Sequence, residues 1–349
     1  MRLATWNVEW FTNLFDARGR LLEDGGWSAR HDVSRRDQLA AIGIVLTAID
    51  ADAVMIVEAP DTDRRRSTVR MLEAFAQRAG LRTRKALMGI ANETQQEIAL
   101  LYDPEALSAR HDPRGESASQ GALPGSGASA PAPRFDGSHR IDLDFDGRAD
   151  VIRFNKPPFE IAATARSGQA FRMIGVHMKS KAPHGADGPA EERRIAIAAR
   201  REQLAQCLWL RQRVLEHLSS GESLFVMGDF NDGPGLDAYE KLFGRSGVEI
   251  VLGWDEPHAE RLFDPHARAA LGKRLAAQPA TARFYLDDRG QFLSALLDYI
   301  MVSPDLRARG PKWRIWHPFD DPVCYRTPDL REALLTASDH FPVTIDIDL

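Results

Sequence analysis

The feature that most constrains this chain is a series of short apolar runs rich in β-branched and aromatic residues: RLATWNV, AVMIVEA, EIALLYD, FEIAATA, FRMIGVHM, SLFVMGD, TARFYLD, LLDYIMVS and VTIDIDL. Runs of about four to eight such residues read as strands, and the last alternates apolar and polar residues as a half-buried strand does. Helical patterns fall between only some of them. Ser34 reads as an N-cap, with Asp37 three residues on, ahead of Leu39, Ile42, Leu46 and Ile49 at helical spacing. Residues 67–79 read as a second helix closed by Gly80. The longest pattern runs from about Pro189 to Leu218, with Pro189 suited to a first turn and Ser219-Ser220-Gly221 ending it. Over 159–177 strand follows strand directly, so a strict alternation with a purely parallel sheet does not fit.

Composition narrows the class. With 349 residues, 44% of them hydrophobic, the chain has ample material for a sizeable core. A net charge of −5 gives no global basic field of the kind that dedicated nucleic-acid binders carry, which leaves room only for a local basic groove. Cys207 and Cys324 stand far apart, so neither a disulfide framework nor a zinc site is suggested. Met1 runs straight into a strand pattern, without the apolar core of a signal peptide, and no stretch approaches the ~18 apolar residues of a membrane span. A cytoplasmic protein with no membrane span is the expectation. No interface signature stands out, so a monomer without a protein partner is the default. Residues 108–139, with GESASQGALPGSGASAPAP inside them, hold almost no large apolar side chain and read as a mobile insertion within a single domain spanning 1–349.

The strand ends carry the chemistry. ATWNVEW puts Asn7 and Glu9 two apart on one face of the first strand. AVMIVEA ends in Glu58, and FRMIGVHMKSK places His177 at a strand end, followed by Lys179 and Lys181. SLFVMGDFND delivers Asp229 and Asn231, LLDYIMVS carries Asp298, and Asp339 and His340 precede the last strand. A carboxylate at one strand end ordinarily caps a turn. Six strands each delivering a carboxylate, amide or imidazole is a different matter, because bunched carboxylates repel and ask for a cation. Oxygen donors without cysteine suit a hard ion, Mg²⁺ or Mn²⁺. Two histidines beside such an ion suit acid–base work or the holding of a phosphate oxygen, which are parts that hydrolysis at phosphorus requires.

WNVEW, the Glu of VMIVEA, HMKSK, GDFND, LDYIMVS and SDHFPV occur in the order and context of the endonuclease/exonuclease/phosphatase superfamily, which the chain resembles from Asn7 to Val343 outside the insertion. The resemblance implies an α/β fold, a four-layer sandwich of two packed, mainly antiparallel sheets flanked by helices, with the active site at one edge. It further implies Glu58 as the main Mg²⁺ ligand, with Asn7 close by, Glu9 in or near the metal shell and Asp339 in the metal-side cluster. Asp229 would align or deprotonate the attacking water and Asn231 would hold the phosphate. His340 would contact the phosphate, oriented by Asp298, and His177 would sit near the scissile phosphate or leaving oxygen. In deoxyribonuclease-like members a Glu partners that first histidine, and Glu97 is the candidate here.

Around this core, Lys179 and Lys181 read either as phosphate-binding point charges or as solvated lysines. Arg64-Arg65-Arg66 follows the Glu58 strand end, as a surface loop by default and a phosphate clamp as the alternative. Arg153 and Lys156 precede Pro157-Pro158 and could face the cleft, while Trp10, Phe11 and Trp27 are either core or stacking residues. The sequence points to a divalent-metal-dependent phosphodiester hydrolase with nucleic acid, DNA foremost, as substrate. The alternatives are a phosphatase or phosphodiesterase of a small phosphorylated metabolite or lipid headgroup, and more remotely a non-catalytic scaffold.

Overall fold

The computed structural model describes residues 1–116, 131–141, 150–182, 187–233, 240–272, 278–286 and 290–349. In chain order the strands are β1 (Arg2–Asn7), β2 (Ala53–Ala59), β3 (Lys85–Met88), β4 (Glu97–Tyr102), β5 (Leu107–His111), β6 (His139–Ile141), β7 (Asp150–Ile152), β8 (Phe159–Ala165), β9 (Ala170–His177), β10 (Leu224–Asp229), β11 (Ala282–Leu286), β12 (Gln291–Ala295), β13 (Asp298–Val302), β14 (Lys312–Ile315) and β15 (Val343–Asp346). A six-stranded sheet has the order β14-β15-β1-β2-β4-β3, and a five-stranded sheet the order β13-β10-β9-β8-β5. β6–β7 and β11–β12 form separate two-stranded ribbons.

Each large sheet contains one parallel pair, β1–β2 in the first and β9–β10 in the second, and its other neighbours are antiparallel. A parallel pair needs a long crossover. Helix α1 (Arg35–Ile49) supplies it between β1 and β2, helix α2 (Thr68–Ala79) follows β2, and helix α3 (Pro189–Ser219) lies between β9 and β10. The sequence signals for these helices hold. The Ser34 hydroxyl accepts from the Asp37 amide, Ser67 caps α2 and Gly80 ends it at φ 66°, and Pro189 occupies the first turn of α3.

The two sheets pack face to face. Leu3, Met55, Ile98 and Leu100 of the first meet Phe159, Ile161, Met173, Phe225, Met227 and Ile300 of the second. On the outer faces, Trp6, Val54 and Ile56 pack against Ile42, Val45 and Ile49 of α1 and Leu72 and Phe75 of α2, while Ile174, Val176 and Val226 pack against Cys207, Leu210 and Val214 of α3. Strands buried on both faces read as continuous apolar runs, which is why β2 and β10 stand out in the sequence. Each fully buried Leu, Ile or Phe there contributes about 1.5–3 kcal/mol. The result is a helix–sheet–sheet–helix α/β sandwich. No helix among the described residues is long and apolar enough to cross a membrane.

The expected insertion at 108–139 is narrower than its composition implied. Leu107–His111 forms β5 against β8, and Ala132 and Phe135 are buried against α3. Trp209 Nε1 donates to the Pro133 carbonyl (3.1 Å), and Phe135 packs against Phe154 and Trp209. One aromatic ring and a helix offering donors suffice to hold a segment otherwise poor in apolar residues. Residues 117–130 of the insertion lie outside the described part of the chain.

Candidate active site

The C-terminal ends of β1, β2, β9 and β10 and the N-terminal ends of β13 and β15 face one edge of the sandwich, because β13 and β15 run antiparallel to β10 and β1. From the first sheet come Asn7 and Glu58. Asn7 Nδ2 donates to Glu58 Oε1 (3.4 Å) and to Asp229 Oδ2 (3.1 Å), so one amide joins the two sheets. Glu58 interrupts the β2–β4 register with φ 60°, and Glu9 and Trp10 also lie in the left-handed region at φ 48° and 57°. Left-handed backbone at non-glycine residues is strained and persists where the surroundings over-determine it. Here those surroundings are the site itself, since the Trp10 amide donates to Glu58 Oε2 (2.9 Å) and the Glu9 amide to Asn7 Oδ1 (3.0 Å).

The second sheet supplies His177, Asp229 and Asp298, which sit side by side in register across β9, β10 and β13. Gly228 lets β10 come close enough, since a Cβ there would meet the Val176 carbonyl oxygen at 2.1 Å with φ at +140°. Asp229 accepts from the Asn231 amide (2.7 Å) and from Asn231 Nδ2 (3.2 Å), with Asn231 held at φ 47°. Burial pushes the Asp229 carboxyl up to about 7; His340 opposes the rise and Asp298 adds to it. His340 Nδ1 lies 2.8 Å from Asp298 Oδ2. Burial alone would pull that imidazole down, yet the charges of Asp298, Asp229 and Asp339 hold it well above its ordinary value, so the pair is an imidazolium donating to a carboxylate. His177 goes the other way. Burial, the Lys156 ammonium and His340 keep it well below its ordinary value, and Lys156 Nζ stands 3.1 Å from its Nε2. Its ring is therefore a neutral acceptor for the lysine.

Several groups that hold this edge escaped the sequence reading. Gln38 of α1, fully buried, donates to the carbonyls of Glu9 (3.1 Å) and Ala337 (3.0 Å). Gln203 of α3, equally buried, donates to the carbonyls of Lys179 (2.7 Å), Phe230 (3.2 Å) and Asn231 (3.0 Å). Ser338 Oγ bonds the Asn7 carbonyl (2.7 Å) and receives the His340 amide (3.0 Å). Arg30 pairs with Glu9, and burial depresses its guanidinium although Asp339 nearby favours the charge. Isolated glutamines and arginines on helices and loops carry no sequence signal; only the fold turns them inward.

Other expected residues land elsewhere. Glu97 does not partner His177. Its carboxylate receives the Asn92 side chain (2.8 Å) and backbone amide (3.2 Å), and His177 Nδ1 has no hydrogen-bond partner among the described residues. Glu9 Oε2 is engaged by Arg30 and by the Asp339 amide (2.9 Å). Lys181 is ion-paired with buried Asp232, which Arg200 also approaches at 3.5 Å, so it is a structural lysine. Arg66 bonds Asp61 (2.9 Å) and Thr12, while Arg64 and Arg65 are exposed on the same loop. Lys179 is half-buried with Glu202 at 3.9 Å, and Arg153 is exposed. Phe11 belongs to the core, whereas Trp10 and Trp27 are exposed.

The residues fit a hard divalent cation. Glu58, Asn7 and Asp229 offer oxygen donors, and Asp298 Oδ1 and Asp339 Oδ1 are buried without a hydrogen-bond partner among the described residues. Ligand atoms of Asp229, Asp298 and His340 lie within 4.8 Å of one another, though the His340–Asp298 hydrogen bond already closes that group.

The model of the Endonuclease/Exonuclease/phosphatase family matches residues 4–340. No curated protein matches the chain. Among solved structures it is similar to the 3′ phosphatase NExo (D146N) from Neisseria bound to a product DNA hairpin, at 17% identity with 100% of each chain covered and a TM-score of 0.48. It is also similar to an AP endonuclease from Archaeoglobus fulgidus (15% identity, 100% of each chain, TM-score 0.49). A third is the human Nocturnin catalytic domain with bound sulfate (14% identity, 100% of this chain and 94% of that one, TM-score 0.48).

Proposed function

Because the chain belongs to the Endonuclease/Exonuclease/phosphatase family, we propose that it is a divalent-metal-dependent phosphodiester hydrolase and that its substrate is DNA. The observation that carries this reading is the meeting of both sheets at Asn7, whose amide spans Glu58 and Asp229, beside the buried Asp298–His340 pair. An ion held by Glu58 and Asn7, Mg²⁺ or Mn²⁺, would supply charge to a non-bridging phosphate oxygen.

The protein groups divide the remaining work. Asp229, fixed by three N–H donors from Asn7 and Asn231, has the position and the raised proton affinity to orient a water and take its proton. His340, kept cationic by Asp298, presents Nε2 to the phosphate and stabilises charge that grows in the transition state. Lys156 and His177 stand on the far side of Asp229, where a positive group favours a departing oxygen. Asn231 Nδ2 donates to both the Met178 carbonyl (3.1 Å) and Asp229 Oδ2 (3.2 Å). In this arrangement Asn231 positions Asp229, and it would have to release one of these bonds to hold the phosphate.

The small-substrate alternative draws on a specific observation: two of the expected phosphate-binding cations, Lys181 and Arg66, are consumed by internal ion pairs. A hydrolysis panel with Mg²⁺, Mn²⁺ and EDTA separates the readings, using single-stranded and duplex DNA, RNA, bis-(p-nitrophenyl) phosphate and p-nitrophenyl phosphate, with His340→Ala as blank. Metal-dependent cutting of DNA, absent in the blank, is expected. Turnover of the small esters alone would replace the nuclease by a metabolite phosphoesterase.

A further inference from the structure

Lys156 reaches the candidate site from outside the strand ends that the motifs mark. β8 and β9 are antiparallel, with Phe159 opposite Gly175, so residues 153–158 enter β8 at the edge where β9 ends at His177. That segment is pinned on both sides of the lysine. Phe154 is buried against Phe135 and Trp209, and Pro157 and Pro158 are buried just after it. A residue before proline is restricted to extended backbone, so the chain at Lys156 has little freedom. Gln206 of α3 completes the support. It receives the Lys179 amide (3.1 Å) and donates to the Arg153 carbonyl (3.2 Å), which joins this segment to the chain leaving His177.

The ammonium is half-buried and incompletely paired. Its Nζ lies 3.1 Å from His177 Nε2, the one hydrogen-bond partner it has among the described residues, and no carboxylate there pairs with it. An ammonium carries three donors, so two remain for a substrate. Burial pulls its proton affinity below the ordinary lysine range, against the charges of Glu58 and Asp229. His177 Nε2 is 3.7 Å from Asp229 Oδ2, and the register across the sheet runs His177, Asp229, Asp298. Lys156 and His340 are therefore cations on opposite flanks of Asp229. They are not equivalent. Asp298, Asp229 and Asp339 hold the proton on His340, which suits that ring to stabilise charge. Lys156 has only a neutral ring as its partner, so its proton is the more readily given up.

Resting on the nuclease reading, we propose that Lys156 is the catalytic residue that protonates the departing sugar oxygen, and that His177 is the residue that positions it. Water attacks phosphorus and gives its proton to Asp229. The bond from phosphorus to the leaving oxygen breaks, its electron pair stays on that oxygen, and a Lys156 N–H proton passes to it. Exchange with solvent then returns a proton to the amine and takes one from Asp229. A positioned general acid contributes about a hundred- to ten-thousandfold, and most where the leaving group is a basic alkoxide.

The test compares the full-length wild type with Lys156→Ala, Lys156→Arg, His177→Ala and His177→Gln. KM and kcat are measured at saturating Mg²⁺ or Mn²⁺ on a DNA oligonucleotide and on bis-(p-nitrophenyl) phosphate. The leaving groups discriminate, because p-nitrophenolate departs as a stable anion whereas a sugar alkoxide needs a proton. Lys156→Ala should lower kcat on DNA at least about a hundredfold but on the small ester no more than about fivefold, which also shows that the variant folds. Lys156→Arg keeps the charge but does not release its proton, so KM for DNA should stay near that of the wild type while kcat is not restored. His177→Ala should show the same selective loss at about tenfold, and His177→Gln, whose amide oxygen accepts from the lysine, should recover most of it. Equal losses on both substrates in Lys156→Ala and Lys156→Arg, or kcat restored by Lys156→Arg, overturn the assignment and leave Lys156 as a phosphate-binding charge. A wild type that hydrolyses the small ester but no DNA overturns the nuclease reading instead.

Discussion

The two sheets build their halves of the site on the same plan and reach different chemistry. In each, a parallel strand pair ends at the edge of the candidate site and a crossover helix joins the pair. A buried glutamine on that helix ties down carbonyls beyond the strands, Gln38 in the first half and Gln203 in the second, where Gln206 also bonds Lys179 and Arg153. The first half places Glu58 on a left-handed backbone, partly open to solvent, and keeps its other carboxylate, Glu9, neutralised by Arg30. In the second half His177, Asp229 and Asp298 are buried in register, and burial moves proton affinities of Asp229 and His177 in opposite directions. A strained, accessible carboxylate suits a cation that must shed water and enter. A buried row of titratable groups suits proton handling. On the proposed reading, the same topology therefore yields a metal half around Glu58 and a proton half around Asp229, Asp298 and His340.

That division is broken most severely at the proton half. His340→Ala removes a cation in contact with Asp298 and should lower kcat by at least about a thousandfold at saturating metal, with a far-ultraviolet spectrum like that of the wild type. Near-wild-type turnover would remove His340 from the chemistry. In the metal half, Glu58→Gln deletes one negative charge while keeping the side-chain shape. The metal concentration for half-maximal activity should rise on the order of a hundredfold, with partial recovery of rate at high Mn²⁺. An unchanged metal titration would mean that the ion is held elsewhere, for instance among Asp229, Asp298 and His340.

The glutamines sharpen the comparison, because they touch neither substrate nor ion. Each removal leaves buried carbonyls without a donor, at about 1–3 kcal/mol, so Gln38→Leu and Gln203→Leu should lower the melting temperature by similar amounts. Their kinetic effects should separate. Gln203→Leu releases the Lys179 and Asn231 carbonyls and should lower kcat about tenfold. Gln38→Leu releases the Glu9 and Ala337 carbonyls and should chiefly raise the metal requirement. Identical kinetic signatures would show that the halves do not act separately.

What was legible in the sequence follows from the same physics. Strands buried on both faces announce themselves, as AVMIVEA and SLFVMGD do, and the polar residues at or next to their C-terminal ends, Glu58 and Asp229, mark the edge of the candidate site. β3, β5, β6, β7, β12 and β14 were missed because they are short or exposed, so their composition is mixed. The candidate site residues were legible as strand ends; their partners were not. Gln38, Gln203 and Arg30 look like solvated residues until the helices dock, and the Lys156–His177 contact joins residues that share no local pattern. The pairing of Glu97 with His177, carried by resemblance, gave way to a local competitor: Asn92, five residues upstream, offers both its side chain and its amide.

Glu97 therefore supplies the smallest and most discriminating expectation. Burial raises its carboxyl from 4.5 to about 7, against the backbone hydrogen bonds from Asn92 and Thr62 that favour the charge. Between those two values the folded chain holds a proton that the unfolded chain has released, so Glu97 makes stability fall as pH rises from about 4.5 to 7, with a constant penalty above. Glu97→Gln removes the titration. Its melting temperature relative to wild type should be no higher near pH 4.5, climb through pH 7 and then level off, a gain on the order of 1–3 kcal/mol in scanning calorimetry. Turnover should stay within about twofold, because no bond joins Glu97 to His177. A hundredfold fall in kcat with a displaced pH profile would instead place Glu97 behind the first histidine, and the proton half would then extend across β4 into the sheet that carries Glu58.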